Sequence, residues 1–274
     1  MKYADLHLHT NFSDGTNTVA ELLQKAKDAG LSCISITDHD TVEGLKYLKE
    51  NIKNPDLEVI PGIELTAEHE GKEIHILGYF IDFENKSFLE QLAEIKRARV
   101  KRINDMAVKL RSLNVNIDPE EVLCLSEVGT VGRLHLARVM LNNGCVASLQ
   151  EAFNKYIGDN GPAYVGRFRL SPEQAIKLIE RVGGVSVLAH PYSLSKQDLI
   201  PKLVGFGLSG IEVYYPENSS SQIRNYLEVA RKFDLLITGG SDCHGNAKPT
   251  ELIGEIKLPY DFVEKIKLRR RLLL

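Results

Sequence analysis

Residues 3–15 read Tyr3-Ala-Asp-Leu-His7-Leu-His9-Thr-Asn-Phe-Ser-Asp14-Gly15. The first half predicts a strand, and because strand side chains alternate faces, His7 and His9 leave it on one side, two residues apart. Two imidazoles so placed can share one ion, and Asp14 follows in the loop just beyond. A lone His-x-His pair is a weak signal. What the rest of the chain does with its histidines gives the pair its meaning.

The arrangement recurs. Short apolar, β-branched runs predict further strands at 31–37, 57–65, 73–81, 185–189, 210–215 and 235–238. His39 directly follows the second strand in Thr37-Asp-His-Asp40, and Glu64 ends the third in Pro61-Gly-Ile-Glu64. His75 lies in the fourth, His190 ends the fifth in Leu188-Ala-His-Pro191, and Asp242 and His244 end the last in Ser241-Asp-Cys-His244. Amphipathic helices separate most strands. Thr18-Val-Ala-Glu21 is a capping box with Gly30 at the helix stop, and Ser171-Pro-Glu-Gln174 is a second helix start. Strands alternating with helices predict parallel βα units, and seven such strands suggest a barrel or distorted barrel. In a barrel the C-terminal strand ends converge on one face. Residues 87–164 break the rhythm. Helices are expected there at 87–114, 119–126, 133–142 and 149–157, an all-helical insertion between barrel segments 1–86 and 165–274.

Composition sets outer bounds. With 274 residues, 43% hydrophobic and 26% charged, the chain is of globular type and long enough for a substantial core. Lys and Arg number 34 against 37 Asp and Glu, a net charge of -3, so bulk charge advertises neither stable duplex nucleic-acid binding nor a membrane surface. The N-terminus is too polar for a signal peptide, and no apolar run approaches the ~18–20 residues that span a bilayer. The four cysteines are scattered without a CxxC pair, which reads as reduced thiols in a cytoplasmic protein. Lys96, Arg97, Arg99, Lys101, Arg102, Lys109 and Arg111 crowd one predicted helix, either as a solvated face or as a basic wall over an anionic substrate.

The donor set is the sharpest observation. His7, His9, His39, His75, His190 and His244 with Asp14, Glu64 and Asp242 make nine potential ligands. A catalytic zinc site needs three protein ligands and an open position. Nine donors, with a carboxylate able to bridge, suit two or three divalent ions. Nitrogen and oxygen without thiolate favour Mn, Fe or Zn. Cys243, between Asp242 and His244, faces away by alternation. Multinuclear sites of this kind suit phosphoester hydrolysis, where paired ions activate a water and stabilise the leaving oxygen.

These residues carry a resemblance. His7-x-His9, Asp14, Asp38-His39, Glu64, His75, His190-Pro191 and Asp242-x-His244 match the PHP superfamily (polymerase and histidinol phosphatase domains) across both halves of the chain. The resemblance implies a distorted (β/α)7 barrel with a trinuclear site, manganese being the first choice of metal. It puts His7, His9, Glu64 and Asp242 on one ion, Asp14, His39 and His244 on a second, and Glu64, His75 and His190 on a third. Catalysis would rest on His7, His9, Asp14, His39, Glu64, His190, Asp242 and His244. Asp14, where many PHP phosphatases carry histidine, resembles the nucleotide branch, whose members remove the 3'-phosphate of 3',5'-nucleoside bisphosphates or trim short RNA from its 5' end. Gly132-Arg-Leu-His-Leu-Ala-Arg138, Glu151-Ala-Phe153 and Gly161-Pro-Ala-Tyr-Val165 resemble that branch's insertion, with Leu134 where a proline is expected. The implied function is a metal-dependent phosphatase of nucleotides or short oligonucleotides. The alternatives are histidinol-phosphate phosphatase and a non-catalytic metal-binding module.

Several further residues carry expectations. Arg133 and His135, at a predicted helix start, are expected to bind substrate phosphate, and Arg167 is a further candidate. Asp5 either orients a ligand histidine or is a buried structural carboxylate. Asp38 and Asp40 should be loop hydrogen-bonders, His69 a hairpin residue, and Tyr192 either a base-stacking or a packing residue. Ser241 has no partner base in the sequence, so no covalent nucleophile is expected.

Overall fold

The computed structural model describes residues 2–53, 55–125, 130–166, 170–193, 199–247 and 252–273. The strands are β1 (Tyr3–Leu8), β2 (Cys33–Ile36), β3 (Glu58–His69), β4 (Lys72–Tyr79), β5 (Val185–Leu188), β6 (Gly210–Tyr214), β7 (Leu236–Gly239) and β8 (Leu258–Pro259). The helices are α1 (Val19–Asp28), α2 (Glu43–Asn51), α3 (Lys86–Ser112), α4 (Pro119–Cys124), α5 (Arg133–Asn142), α6 (Leu149–Ala152), α7 (Pro172–Arg181), α8 (Leu199–Gly205), α9 (Ser220–Lys232) and α10 (Tyr260–Leu273).

The sheet runs β7-β6-β5-β4-β3-β2-β1-β8. It nearly closes where Leu8 pairs in parallel with Cys243 and His9 N–H donates to the Cys243 carbonyl. Gly240 permits this approach, since a Cβ there would stand 2.5 Å from the His7 nitrogen. The result is a distorted βα barrel, with two departures from the expected seven parallel units. β3 and β4 form an antiparallel hairpin, turned by Glu70 and Gly71 at positive φ, and β4 also pairs antiparallel with β5. The eighth strand, two residues pairing antiparallel with β1, lay below any sequence signal. β3 also runs on to His69, which places Glu64 in mid-strand.

The helix-start signals act as chemistry dictates. Thr18 and Glu21 complete the box at α1, with Gly30 at φ 76° beyond its end, and Ser171 and Gln174 complete the box at α7. The apolar faces of α1, α2, α7, α8 and α9 pack on the outside of the sheet. The end of the barrel away from His7 and His9 is filled by Leu6, Leu77, Tyr79, Val185 and Val187, and is plugged by Val263 and Ile266 of α10. That helix is formed by the C-terminal arginine- and leucine-rich tail, which matches no motif. Helices α3 to α6, the last continued by a π-turn at Phe153–Ile157, enclose a separate apolar cluster around Ile103, Met106, Leu110, Leu136 and Met140. Among the described residues no helix is long and apolar enough to cross a membrane.

Candidate metal centre

All nine predicted donors lie at one end of the barrel. His7 is in β1 and His9 just past it, Glu64 and His75 stand on the β3–β4 hairpin, and His39, His190, Asp242 and His244 follow β2, β5 and β7. Asp14 comes from the loop after β1, which folds back as Gly15 N–H donates to the Thr10 carbonyl. Three of these turns hold non-glycine residues in the left-handed region: Asp40 (φ 52°), His190 (φ 26°) and Asp242 (φ 50°). Such conformations cost on the order of 1–3 kcal/mol each and persist where surrounding contacts over-determine them.

Glu64 is the hub. Its Oε2 lies 3.3 Å from His7 Nε2, 3.2 Å from His9 Nε2 and 3.1 Å from His39 Nδ1. Its Oε1 lies 2.8 Å from His75 Nδ1 and 3.1 Å from His190 Nε2. The two oxygens thus face different imidazole sets, the geometry of a bridging carboxylate. Asp242 Oδ1 stands 3.3 Å from His7 Nε2 and 3.1 Å from His9 Nε2, and Asp14 Oδ1 stands 3.2 Å from His244 Nε2.

These residues fit metal ions. Donors about 2.0–2.2 Å from one ion stand roughly 3.0–3.5 Å from each other, the spacing observed around Glu64 and Asp242. His7 Nε2, His9 Nε2, His39 Nδ1 and Asp14 Oδ1 are buried without a hydrogen-bond partner, an unusual condition for polar atoms unless a cation satisfies them. Among the described residues three groups of ligand atoms lie close enough to hold an ion: His7, His9, Glu64 and Asp242; His9, Asp14, His39 and His244; and His39, Glu64 and His75. The first is the expected set. The second gains His9. In the third His39 stands where His190 was expected, although His190 Nε2 is only 3.2 Å from His75 Nδ1.

The charges suit cations. Burial raises the Glu64 carboxyl, but His39, His75 and His7 overcome it and hold it well below the usual range. Asp14 is likewise lowered, against burial, by His244 and His39. Burial lowers His9, yet the neighbouring Asp242 and Glu64 carboxylates lift it to about 9. Burial also lowers His75, yet Glu64 and Glu73 carry it to about 10. His39, by contrast, is pushed to about 3 by burial. Ionised carboxylates among proton-holding imidazoles form a site in which metal binding must displace protons.

Neighbouring groups orient the donors. Glu212 on β6, fully buried, lies 3.0 Å from His7 Nδ1 and accepts the His190 backbone N–H at 2.8 Å. Tyr215 donates to Asp242 Oδ2 at 3.0 Å, Glu73 Oε1 lies 2.6 Å from His75 Nε2, and Arg138 donates to the Asp14 carbonyl. Sequence reading did not single these out. Glu73 was within reach, two residues from His75 and so on its face, and Glu212 is the only charged residue of an otherwise apolar run. Asp38 accepts from Thr10 N–H, Thr10 hydroxyl and Ser13 hydroxyl, and Asp40 accepts from Thr66 N–H and Arg99, so both are loop-binding groups. Asp5 takes the Ser241 N–H and touches no imidazole, a buried structural carboxylate. Cys243 packs into the core, away from the donors.

The predicted phosphate residues separate. Arg133 opens α5 with its guanidinium bonded to Glu73 Oε2 at 3.1 Å and Asp159 Oδ1 at 2.6 Å, over the rings of Phe153 and Tyr164. His135 is buried instead, and its Nδ1 accepts the Gly132 N–H at 3.2 Å. That bond caps the start of α5. Arg167 lies outside the described residues. The basic wall divides as well. Arg99 and Arg102 turn inward to Asp40 and the Val165 carbonyl, Lys101 pairs with Asp105, and Lys96, Arg97 and Arg111 stay exposed.

Burial holds His135 at about 4, below its ordinary 6.5. Between those values the unfolded chain takes a proton that the folded one refuses. Its contribution is therefore full above pH 6.5 and falls as pH drops through the window, by on the order of 1 kcal/mol per pH unit. Thermal unfolding of His135→Gln is expected to be less pH-dependent than wild type between pH 4.5 and 7. Equal slopes would contradict the buried neutral cap.

A family model described as the PHP domain matches residues 5–161. The 5'-3' exoribonuclease Rnm of Escherichia coli is 32% identical over 93% of this chain and 89% of its own length. A phosphoribosyl 1,2-cyclic phosphate 1,2-diphosphodiesterase of Eggerthella lenta is 29% identical over 88% and 94%, and a 3',5'-nucleoside bisphosphate phosphatase of Chromobacterium violaceum 28% identical over 89% and 88%. A solved structure from Bifidobacterium adolescentis, named as a metal-dependent phosphoesterase, superposes with a TM-score of 0.89 at 32% identity, covering 98% of this chain and 96% of that one.

Proposed function

Because the chain belongs to the PHP domain family and is a hydrolase of phosphoric esters, we propose that its substrate is a nucleotide with a second phosphate, either a 3',5'-nucleoside bisphosphate or the 5' end of a short RNA. One observation carries the substrate reading. Arg133, on the first turn of α5, is one carboxylate away from the centre: Glu73 touches both Arg133 and His75. A guanidinium so placed offers a second anion a charge-assisted, bidentate partner once Glu73 yields it. The relatives named for bisphosphate and RNA substrates support the same class.

In this reading the centre would hold three divalent ions, manganese first and zinc or iron as alternatives, and the chemistry they would supply is activation of a water and neutralisation of the phosphoryl oxygens. His7, His9, Glu64 and Asp242 would hold one, Asp14, His39 and His244 a second, and Glu64, His75 and His190 a third. Arg133 anchors the remote phosphate, and His135 fixes the start of the helix that carries it. Residues 87–164 form a lid that selects the nucleotide, and residues 1–86 and 165–274 form the barrel beneath. Four cysteines without a disulfide agree with a cytoplasmic setting.

Arg133→Ala tests the substrate class. The variant is expected to raise KM for 3',5'-adenosine bisphosphate about 10–100-fold, the 1.4–2.8 kcal/mol of a charged hydrogen-bonded anchor, and to leave hydrolysis of an aryl phosphate with no second phosphate within twofold. Equal effects on both substrates would remove Arg133 from substrate recognition.

A further inference from the structure

Glu212 is a carboxylate at the centre of the barrel that the reaction itself does not use. Its neighbours Ile211 and Val213 point outward into the apolar layer beneath the helices, so alternation along β6 sends Glu212 to the interior. There it is fully buried and each oxygen has one task. Oε1 lies 3.0 Å from His7 Nδ1, and Oε2 accepts the backbone N–H of His190 at 2.8 Å. His7 belongs to the first donor group, and His190, outside the three groups, stands beside Glu64 and His75 of the third. His7 presents its other nitrogen to Glu64 and Asp242. His190, held at φ 26° ahead of Pro191, presents Nε2 to the opposite oxygen of Glu64 and to His75. No corresponding contact joins Glu212 to Asp14, His39 or His244 among the described residues.

We propose that Glu212 is a positioning residue shared by two of the metal subsites, orienting the His7 imidazole and the His190 backbone together, and that the Asp14–His39–His244 subsite is independent of it. The physical basis is twofold. A carboxylate on the far nitrogen of a ligand imidazole fixes its tautomer and ring plane and raises its basicity toward the ion. An acceptor on the His190 N–H holds a backbone conformation that would otherwise relax toward negative φ and swing the ring away from Glu64. One side chain thereby sets the separation of two ligands on either side of the bridging carboxylate. The inference rests on the reading of the cluster as a metal centre.

Glu212→Gln keeps the volume but can accept only one of the two N–H groups, and its amide N–H₂ must face the other donor. Metal content of wild type and variant is to be read by native mass spectrometry across a Mn²⁺ titration, with circular dichroism to check folding. The expected result is three ions on wild type, and on the variant one subsite of unchanged affinity and two weakened ten- to a hundredfold. Should E212Q fail to fold, Glu212→Asp, which keeps the charge but shortens the reach by one methylene, is read the same way. Three subsites of wild-type affinity would overturn the proposal. Uniform weakening of all three would also overturn it, because it would mark Glu212 as a general structural residue. A wild-type protein that binds no ion would overturn the metal reading itself.

Discussion

Glu64→Gln is expected to abolish metal-dependent phosphate release, lowering kcat by about 10³-fold or more, some 4 kcal/mol of transition-state stabilisation. The size follows from position. One carboxylate faces five imidazoles, His7, His9 and His39 through one oxygen and His75 and His190 through the other. Glutamine preserves volume and removes the charge. Its amide nitrogen also cannot ligate, so one side of the bridge is lost whichever way the group turns. The same change leaves five imidazoles, His7 and His9 buried and the other three half-buried, without their common anion, so the variant should bind fewer ions as well as turn over slowly. Circular dichroism should report an intact fold, since the surrounding β3–β4 ladder is backbone-bonded. A variant with full metal content and kcat within tenfold of wild type would contradict the bridging role.

Removing the ions should destabilise the protein strongly. Each ion held at about a hundred times its dissociation constant stabilises by ~2.7 kcal/mol, so three contribute on the order of 8 kcal/mol. For a chain of this size roughly 2–4 °C of Tm accompany each kcal/mol. Dialysis against a chelator is therefore expected to lower Tm by on the order of 15 °C or more, with recovery on adding Mn²⁺. The buried, partnerless nitrogens of His7, His9 and His39 give the same direction, because desolvated polar atoms without a partner oppose folding. A Tm shift below about 3 °C, with the ions demonstrably removed, would mean that the centre is preformed and indifferent to metal. Glu64→Gln should show a much smaller chelator effect than wild type, which separates loss of the site from a general effect of the chelator.

Much of this was legible because two kinds of signal coincide. The capping boxes at Thr18 and Ser171 and the β-branched runs are local, and seven strands and the main helices follow from them. The histidines track strand ends, and barrel geometry alone carries residues as far apart as His7 and His244 to one place. The failures are those of information that is not local. Whether β4 runs parallel or antiparallel depends on the two-residue turn at Glu70 and Gly71, too short for a crossover. The polar stretch at His69 was legible as a hairpin, but the expectation of uniform parallel βα units did not carry that over to the direction of β4. β8 is two residues paired to the edge of β1, with no periodicity to detect. Glu212 and Tyr215 act through partners 22 to 205 positions away, so no window of sequence shows their role. His135 reads in the sequence as a phosphate ligand beside an arginine at a helix start, and its capping role is not visible there. Only the burial of its ring and its bond to Gly132 show a cap. Arg99 and Arg102 were counted with the exposed basic residues although the helical spacing of three turns both inward.

The most direct test of the account is phosphate release by the Mn²⁺-loaded wild-type protein from four substrates in parallel: 3',5'-adenosine bisphosphate, a 5'-phosphorylated short RNA, a cyclic ribose phosphodiester and histidinol phosphate, with mononucleotide release followed for the RNA and ring opening for the cyclic diester. The account predicts rapid turnover of the bisphosphate or the RNA, lost in His7→Ala. Turnover of histidinol phosphate or the cyclic diester alone would contradict the nucleotide reading, and stoichiometric metal binding without turnover of any of the four would contradict the assignment of a hydrolase.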